Sequence, residues 1–244
     1  DNFARLNATL VLDYELSFNK SLSFELQLAH QAYENTQLLG RNEVGGRVIY
    51  RWQNSFYYNS PWYQVLSNVS YWDFGKQQRD STLYTQQAMV SARLTTIISG
   101  SLGIEYKVRD SESRVYDTQQ GRLFMHLDYA WSDSLSLYSS YSYISGDAVT
   151  SVQNTYCNGL IETSVYYLLN ASDEIEADQI LNEEYCGEWI SYRLPATTHS
   201  LVLGGNMGFG HSSSVDLSWL YASVEAEGNT YQRNIFQLSY LKAF

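Results

Sequence analysis

The feature that most constrains this chain is a strict alternation of apolar and polar residues near its amino-terminal end. From Ala4 to Phe18 every second residue is apolar, and most of the residues between them are polar or charged. A period of two is typical of β-strands, because successive side chains of a strand point to opposite faces. The same period recurs along most of the sequence. It predicts strands at 4–18, 21–33, 43–53, 62–73, 84–98, 101–109, 120–131, 135–146, 197–209, 214–225 and 231–244. The strands at 62–73 and 135–146 fit the alternation less cleanly.

The predicted strands are unusually long. Strands of soluble proteins usually contain about five or six residues, whereas a tilted strand that crosses a bilayer needs about 9 to 11. Aromatic residues such as Trp52, Trp131 and Trp219 also lie near the ends of the apolar rows, where membrane barrels carry interfacial girdles. The pattern favours lipid-facing strands, and a soluble β-sandwich or solenoid, which would also alternate, is the alternative.

The average hydropathy of the chain does not decide between these alternatives. Its value is −0.33, and no run approaches the roughly 18 consecutive apolar residues of a transmembrane helix. In a membrane barrel only every second residue faces lipid, so the strands average to a polar composition. No charged and apolar leader follows Asp1, so we expect any secretory signal to have been removed.

The last strand carries a recognisable pattern, "NIFQLSYLKAF". One of its faces presents Phe236, Leu238, Tyr240 and Phe244. The strand resembles the C-terminal signal of bacterial outer-membrane β-barrel proteins, which the barrel assembly machinery recognises, although Lys242 stands where an apolar residue is usual. The resemblance implies the outer membrane of a Gram-negative bacterium, in contact with its lipid and lipopolysaccharide. It indicates the class and no particular family within it.

The expected fold is therefore an antiparallel transmembrane β-barrel in one domain, with short periplasmic turns and long extracellular loops. The longer connections are predicted around 34–42, 74–82, 110–118 and above all 147–196, and "SGS" and "SDS" are predicted as short turns. Eleven strands are visible, yet bacterial barrels have an even number. We take about twelve as the expectation. Either a strand is missed, or one precedes Asp1 in a longer polypeptide.

The longest connection is strongly acidic. Between Arg122 and Arg193 there is no Lys or Arg but there are eleven acids, as many as the net charge of −11. We predict that 147–196 is an extracellular loop with a short helix beginning at Ser172, folded as a lid over the outer mouth. Its carboxylates would give the entrance a negative potential. The candidate acids are Asp173, Glu174, Glu176, Asp178, Glu183 and Glu184.

Both cysteines, Cys157 and Cys186, lie in this loop. Two cysteines that flank a polar insertion in a secreted protein most simply form a disulfide, which would stabilise the loop by roughly 3 kcal/mol. Zinc ligation is the alternative, but no His lies nearby. The loop also lacks the Asp and Gly spacing of an EF-hand. No metal or cofactor is predicted.

The polar face of the strands carries charges of both signs. They would either pair across a narrow, closed interior or line a wet channel and set its selectivity. The candidate lumen-lining residues are Asp13, Glu15, Glu25, Glu43, Arg47, Arg51, Arg93, Glu105, Lys107, Arg109, Arg122, His126 and Asp128.

Two function classes fit these features. The first is a channel or transport protein for small polar or charged solutes, filtered by the acidic loop. The second is a structural, export or assembly component that acts through a protein partner or a secreted polymer. Enzymatic activity is not predicted. His211 and Ser213 resemble the His-x-Ser of outer-membrane lipid A deacylases, whose site lies near the outer leaflet, but here the two residues lie in a short turn that is predicted to face the periplasm. No basic stripe or phosphate loop indicates nucleic acid or nucleotide.

Overall fold

The protein is all-β, with every strand antiparallel to its neighbours in one sheet of 12 strands. The computed structural model describes residues 3–34, 36–161, 170–209, 213–227 and 229–242. No helix within these ranges is both long and apolar enough to cross a membrane. The strands are β1 (Phe3–Ser17), β2 (Lys20–Tyr33), β3 (Arg41–Gln53), β4 (Trp62–Phe74), β5 (Ser81–Arg93), β6 (Ile98–Ser111), β7 (Thr118–Ala130), β8 (Leu135–Thr155), β9 (Glu174–Ala177), β10 (Glu188–Phe209), β11 (Ser213–Ala226) and β12 (Asn229–Lys242).

Eleven long strands follow one another around the sheet in sequence order, and the short β9 pairs only with β10. This arrangement confirms the predicted all-antiparallel architecture and the eleven strands read from the alternation. Each pair is joined at alternate ends of the sheet, as in a continuous meander. One end, which we call the cap end, carries the connections 34–40, 75–80, 112–117, 156–187 and 227–228.

Burial along the strands is inverted relative to a soluble sheet. In β2 the apolar Phe24, Leu26 and Leu28 are 40%, 48% and 49% exposed, whereas Ser23 on the opposite face is only 2% exposed. In β6, Ile104 is 60% exposed and the neighbouring Glu105 is partly covered. The apolar face is therefore the open one, and the polar face is the covered one.

The covered face is concave. β2 and β10 are seven strand spacings apart along the sheet, which would be about 34 Å if the sheet were flat. Yet the connection that follows β2 hydrogen-bonds, through Leu38, to Glu184 in the segment that precedes β10. A six-residue helix in that segment spans only about 9 Å, so the sheet must curl to bring these elements together.

The first and last strands are open edges. Every residue of β1 is exposed, as are all but one in β12, and no pairing joins the two strands within the described ranges. Because the eleven long strands, counting both edges, alternate in direction, β1 and β12 run the same way, from the cap end to the opposite end. Their unpaired backbone groups therefore cannot meet as another antiparallel pair.

Two predicted boundaries were wrong. The strands on either side of the acidic connection continue to Thr155 and resume at Glu188, so the loop is shorter than 147–196; the polar composition of these extensions hid their alternation. The turn predicted at 99–101 lies instead at 94–97, where the Thr95 hydroxyl accepts hydrogen bonds from the Ile97 and Ile98 N–H groups. Ser and Thr stabilise turns by such local bonds.

Glycine permits close packing on the covered face. A Cβ on Gly103 would lie 2.4 Å from Cζ of Phe124 and 2.9 Å from the carbonyl oxygen of Ala88. The Phe124 ring thus lies over the glycine of the neighbouring strand. Gly46 is exposed, and nothing lies within 4 Å of the corresponding position.

We expect Gly103→Ala to destabilise the sheet by about 1–3 kcal/mol, because the ring and the strand backbone must both shift. Gly46→Ala is the matched control and should change the unfolding free energy by no more than about 0.5 kcal/mol. Urea unfolding followed by circular dichroism measures both. Equal effects of the two substitutions would show that Phe124 does not pack as described.

Candidate functional site: a cap over one end of the sheet

The segment between β8 and β10 folds back over the cap end of the sheet. We call residues 173–188 the cap segment. It begins with β9, which pairs with Ile190–Arg193 on the edge of β10. This edge is available because β11 pairs with β10 only from Thr197 onward. A short helix, α1 (Gln179–Glu184), follows and leads back into β10.

The predicted disulfide is present. Cys157 and Cys186 are bonded, with their Cα atoms 5.3 Å apart. The bond joins the beginning and the end of the 156–187 connection, so the cap segment is held close to the two strands from which it emerges. Gln153 and Trp189 both donate to the carbonyl of Cys186, which fixes the bridge against β8 and β10.

The predicted helix start was wrong. Residues 174–177 form β9, and α1 begins after Asp178, whose side chain accepts a hydrogen bond from the Leu181 N–H at 3.0 Å. Asp is a favoured N-cap residue because its carboxylate satisfies one of the free N–H groups of the first turn. Ile180 is completely buried, as expected for an apolar residue that packs the helix onto the sheet. Ile175 is 47% exposed and does not share this role.

Asp178 is the centre of a buried polar cluster. Its carboxylate is fully buried, and Oδ2 lies 2.6 Å from Nη2 of Arg79. The same oxygen accepts from the hydroxyls of Ser151 and Ser191 at 2.8 Å and of Tyr116 at 3.3 Å. The cluster therefore ties α1 to two neighbouring strands and to two other connections of the cap end. We call these five residues the Asp178 cluster.

The cluster keeps this buried acid ionised. Burial alone would raise the pKa of Asp178, but the Leu181 N–H, the Arg79 guanidinium and the two serine hydroxyls together hold it below its ordinary value of 3.8. Burial raises the pKa of Tyr116, so its phenol stays protonated and able to donate. A buried carboxylate is stable only when its charge and lone pairs are satisfied in this way.

Further contacts distribute the attachment around the cap end. They join the cap segment to the connections 34–40, 75–80 and 112–117, and they involve both side chains and backbone. They are Leu38 N to Glu184 Oε1 at 2.9 Å, Lys76 Nζ to Glu183 Oε1 at 2.6 Å, Gln78 Nε2 to the Ala177 carbonyl at 2.8 Å, Gln179 N to Gln78 Oε1 at 3.0 Å, and the Ser113 hydroxyl to Glu176.

The acids of the loop therefore differ in their surroundings, since some contact other connections and one is exposed. Among the six candidates, Glu176, Asp178, Glu183 and Glu184 contact other cap-end connections. Asp173 is exposed. The sequence predicted a lid whose carboxylates together give the entrance a negative potential, whereas the structure places most of these carboxylates in attachments, two of them facing basic side chains.

The candidate charged row lies mainly on the covered face, where several members face side chains of opposite charge. Arg47 Nη1 lies 3.1 Å from Glu25 Oε2. Glu43 lies 3.9 Å from guanidinium nitrogens of both Arg5 and Arg41. These pairs connect neighbouring strands at several heights of the sheet.

The other members of the row have varied partners. His126 Nε2 lies 3.0 Å from Asp128 Oδ1, and Glu105 lies opposite Arg122 in the register of β6 and β7. Asp13 and Glu15 are exposed on the edge strand β1, and Lys107 is partly covered on β6. The remaining contacts are Arg51 with Gln64, Arg109 with Ser81 and Trp72, Arg122 with the Phe124 ring, and Arg93 with the Tyr58 ring.

Sequence reasoning missed the partners of Asp178. Arg79, Tyr116, Ser151 and Ser191 lie in different elements, separated from Asp178 by between 13 and 99 residues. Only Arg79 carried a signal, as the basic residue in a connection at the same end as the acidic loop. At the carboxyl end, Phe236, Leu238 and Tyr240 are exposed on β12, while Phe244 and His211 lie outside the described residues.

In comparisons with known proteins, no family model matches the sequence, and no curated protein matches it significantly. The function therefore has to be inferred from the arrangement of the residues themselves.

The lowered pKa of Asp178 makes a prediction for the attachment of the cap segment. A carboxyl whose pKa is lower when docked contributes to docking above its ordinary pKa, and the contribution is lost as the pH falls through the lowered value. Docking should therefore be constant between about pH 5 and 8 and weaken below about pH 4. A nitroxide spin label on the exposed Gln179 would report this as increased mobility in electron paramagnetic resonance spectra.

In Asp178→Asn the label should already be mobile at neutral pH. Acidification should then produce no further change from position 178, because the titrating carboxyl has been removed. If the wild-type label stays immobile down to pH 2, or if Asp178→Asn shows the wild-type pH profile, Asp178 does not hold the cap segment.

Proposed function

We propose that the protein is an outer-membrane β-barrel that passes small polar or charged solutes through a polar interior, with the cap segment as its lid. The observation that carries the proposal is the inverted burial of the strands. Continuous apolar rows are exposed on the outer face, and charged rows are covered on the concave face. In water this arrangement would be unfavourable at about 25 cal/mol for each Å² of exposed apolar surface. In a bilayer the same surface is matched by lipid.

Charged side chains on the covered face support a hydrated interior. The side chains of Arg47, His126 and Asp128 lie on this face and are 33%, 39% and 51% exposed. Charged groups that keep contact with water can line a wet path and set its selectivity.

A lid is the role that the cap segment fits best. Its contacts reach the connections at 34–40, 75–80 and 112–117, so it crosses the concave end rather than projecting away from it. A barrel with this segment docked has a restricted entrance, and its release would widen the path. In this proposal the cap end faces the exterior and the short turns face the periplasm.

The proposal also specifies how the sheet closes. Eleven strands leave β1 and β12 running in the same direction with unpaired backbone groups, which hydrocarbon does not tolerate. A twelfth long strand that runs toward the cap end would be antiparallel to both edges. We therefore include this strand in the proposed barrel, as part of a longer polypeptide.

The membrane assignment predicts opposite effects on the two faces. Ile104→Arg, on the exposed apolar face, should destabilise the protein in a lipid bilayer by about 2–4 kcal/mol if the residue lies near the midplane. Gln87→Arg is the matched control, since this partly covered residue lies on the polar face opposite Glu105. Unfolding in lipid vesicles by denaturant titration measures both, and a soluble fold would tolerate Ile104→Arg at least as well as Gln87→Arg.

The lid predicts a change in conductance when its attachment is lost. Asp178→Asn leaves a buried amide against Arg79, and breaking such a buried pair costs about 3 kcal/mol. In planar bilayers this variant should show more frequent or larger openings than the wild type. Asp173→Asn removes the same charge from an exposed position and should change ion selectivity without changing the open probability. Conducting wild-type channels with identical openings in both variants would show that the segment is not a lid.

A structural or export role is the second candidate, and the packing inside the sheet favours it. Ile49, Leu66 and Leu83 are 4%, 8% and 6% exposed on the concave face, so part of the interior is filled. If neither the wild type nor Asp178→Asn conducts, and the protein is folded in the bilayer, a closed barrel that acts through a protein partner or a secreted polymer becomes the better description.

A further inference from the structure

The connection between β3 and β4 differs from the others at its end of the sheet, opposite the cap. It comprises residues 54–61, whereas the connections at 18–19, 94–97 and 131–134 are short turns. It also contains three consecutive aromatic residues, Phe56, Tyr57 and Tyr58. A hairpin between these two strands needs only two to five residues, so neither its length nor its composition is required for the turn.

Tyr58 and its neighbours hold this connection in place. The Tyr58 hydroxyl donates to the Thr95 carbonyl at 3.1 Å, and the Arg93 guanidinium lies 5.2 Å from the centre of its ring. Within the connection the Ser55 and Ser60 hydroxyls are 2.7 Å apart, and Gln53 donates to the Ser60 carbonyl. The loop is therefore ordered by specific contacts.

Phe56 and Tyr57 take no part in these side-chain contacts. They are 69% and 78% exposed, and within the described part of the chain neither ring stacks on another aromatic. Exposing two adjacent large rings is unfavourable in water. Because Tyr58 alone already anchors the loop, anchoring does not explain the other two rings.

These rings stand beside polar side chains in one recess. Phe56 and Tyr57 line it together with Ser91, Ser101 and Asp128 from three strands of the concave face. We call this the aromatic recess. The hydroxyls of Ser91 and Ser101 have no hydrogen-bond partner within the described ranges. The recess therefore offers two flat apolar surfaces next to unused donors and acceptors.

We propose that the aromatic recess binds a sugar ring, as a free sugar or as a unit of a glycan chain. A pyranose has a face of C–H groups, which carry partial positive charge and pack on the electron-rich face of an aromatic ring. Its rim of hydroxyls needs donors and acceptors, which serine hydroxyls and a carboxylate provide. The lining contains more polar groups than a typical small-molecule site, which is mostly apolar, and this composition suits a ligand with many hydroxyls.

Two other ligand classes fit the recess less well. A cationic ligand would be attracted by Asp128, but Asp128 already contacts His126 at 3.0 Å, and the Arg93 guanidinium over Tyr58 would repel the cation. A purely apolar ligand would bury the serine hydroxyls and Asp128 without hydrogen bonds, at a cost of about 1–3 kcal/mol for each group. A neutral sugar meets neither obstacle.

Saturation-transfer NMR on the purified protein tests this inference, whether or not the barrel conducts. The probes are maltose, cellobiose, lactose and diacetylchitobiose, with sorbitol as an acyclic control that has hydroxyls but no rigid C–H face. The detergent must carry no sugar headgroup, and lauryldimethylamine oxide is suitable. We expect transfer to the ring C–H protons of at least one disaccharide and none to sorbitol.

Variants locate the binding in the recess. Tyr57→Ala should weaken the dissociation constant at least tenfold, since stacking on an aromatic ring is lost, whereas Tyr57→Phe should retain binding. Phe18→Ala is the matched control, because Phe18 is an aromatic residue 99% exposed in another connection of the same end.

Absence of transfer to every disaccharide overturns the proposal. So does transfer that is equal for sorbitol, or transfer that Tyr57→Ala leaves unchanged. Binding that requires a second protein instead of a sugar would make the recess a protein interface and would also overturn it. None of these results depends on conductance, so the failure of this proposal and the failure of the channel proposal are distinguishable.

Discussion

The structure depends on one continuous ladder of antiparallel backbone pairing. From β1 through β12 each long strand finds its hydrogen-bond partners in its sequence neighbours, with a register that shifts at only a few points. Because this ladder satisfies the backbone, the side chains are free to segregate by face. Alternation then places a whole row of apolar residues on one side and a whole row of polar residues on the other. The inverted burial is a consequence of this ladder combined with curvature.

Charge is used differently at the cap end and along the covered face. On the sheet, pairs such as Arg47 and Glu25 connect adjacent strands and remain partly accessible, where ion pairs contribute little to stability. In the Asp178 cluster a single fully buried carboxylate receives one guanidinium, two serine hydroxyls and a backbone N–H. Such a site stabilises the docked segment only while the carboxylate keeps all of these partners. The buried part of the attachment therefore depends on one carboxylate, and contacts such as that of Lys76 with Glu183 add to it nearer the surface.

How much of the fold could be predicted depended on patterns in the local sequence. Alternation identified nine of the eleven long strands clearly, because it depends only on which face each residue occupies, and the strands at 62–73 and 135–146 followed it less cleanly. It failed where the pattern was polar on both faces, as in the extension of β8 to Thr155, and where a small-residue triplet such as 99–101 continued a strand instead of turning. Pairing between Cys157 and Cys186 was predictable because the chain offers no other cysteines.

The Asp178 cluster was not predictable for a physical reason. Its members are single polar residues in separate elements, and nothing in their local sequence shows which of the six loop acids would be buried. That choice is made by the docking of Ile180, which carries its neighbour Asp178 into the protein interior. The exposed apolar face, in contrast, could be predicted from the sequence, because its alternation repeats over many strands.

The extended hairpin of β8 and β10 has a consequence for how fast the cap segment can move. Beyond Gly146 and Thr197 these two strands pair with each other, without β7 or β11 alongside, and the disulfide and β9 bind the cap segment to this ribbon. Gly146 adopts φ of 146° at the point of departure, where its backbone lies too close to Gln119 for any side chain. Displacing the whole cap segment would therefore require the ribbon to rotate about this point, and hinge motions of this kind occur on the microsecond to millisecond scale.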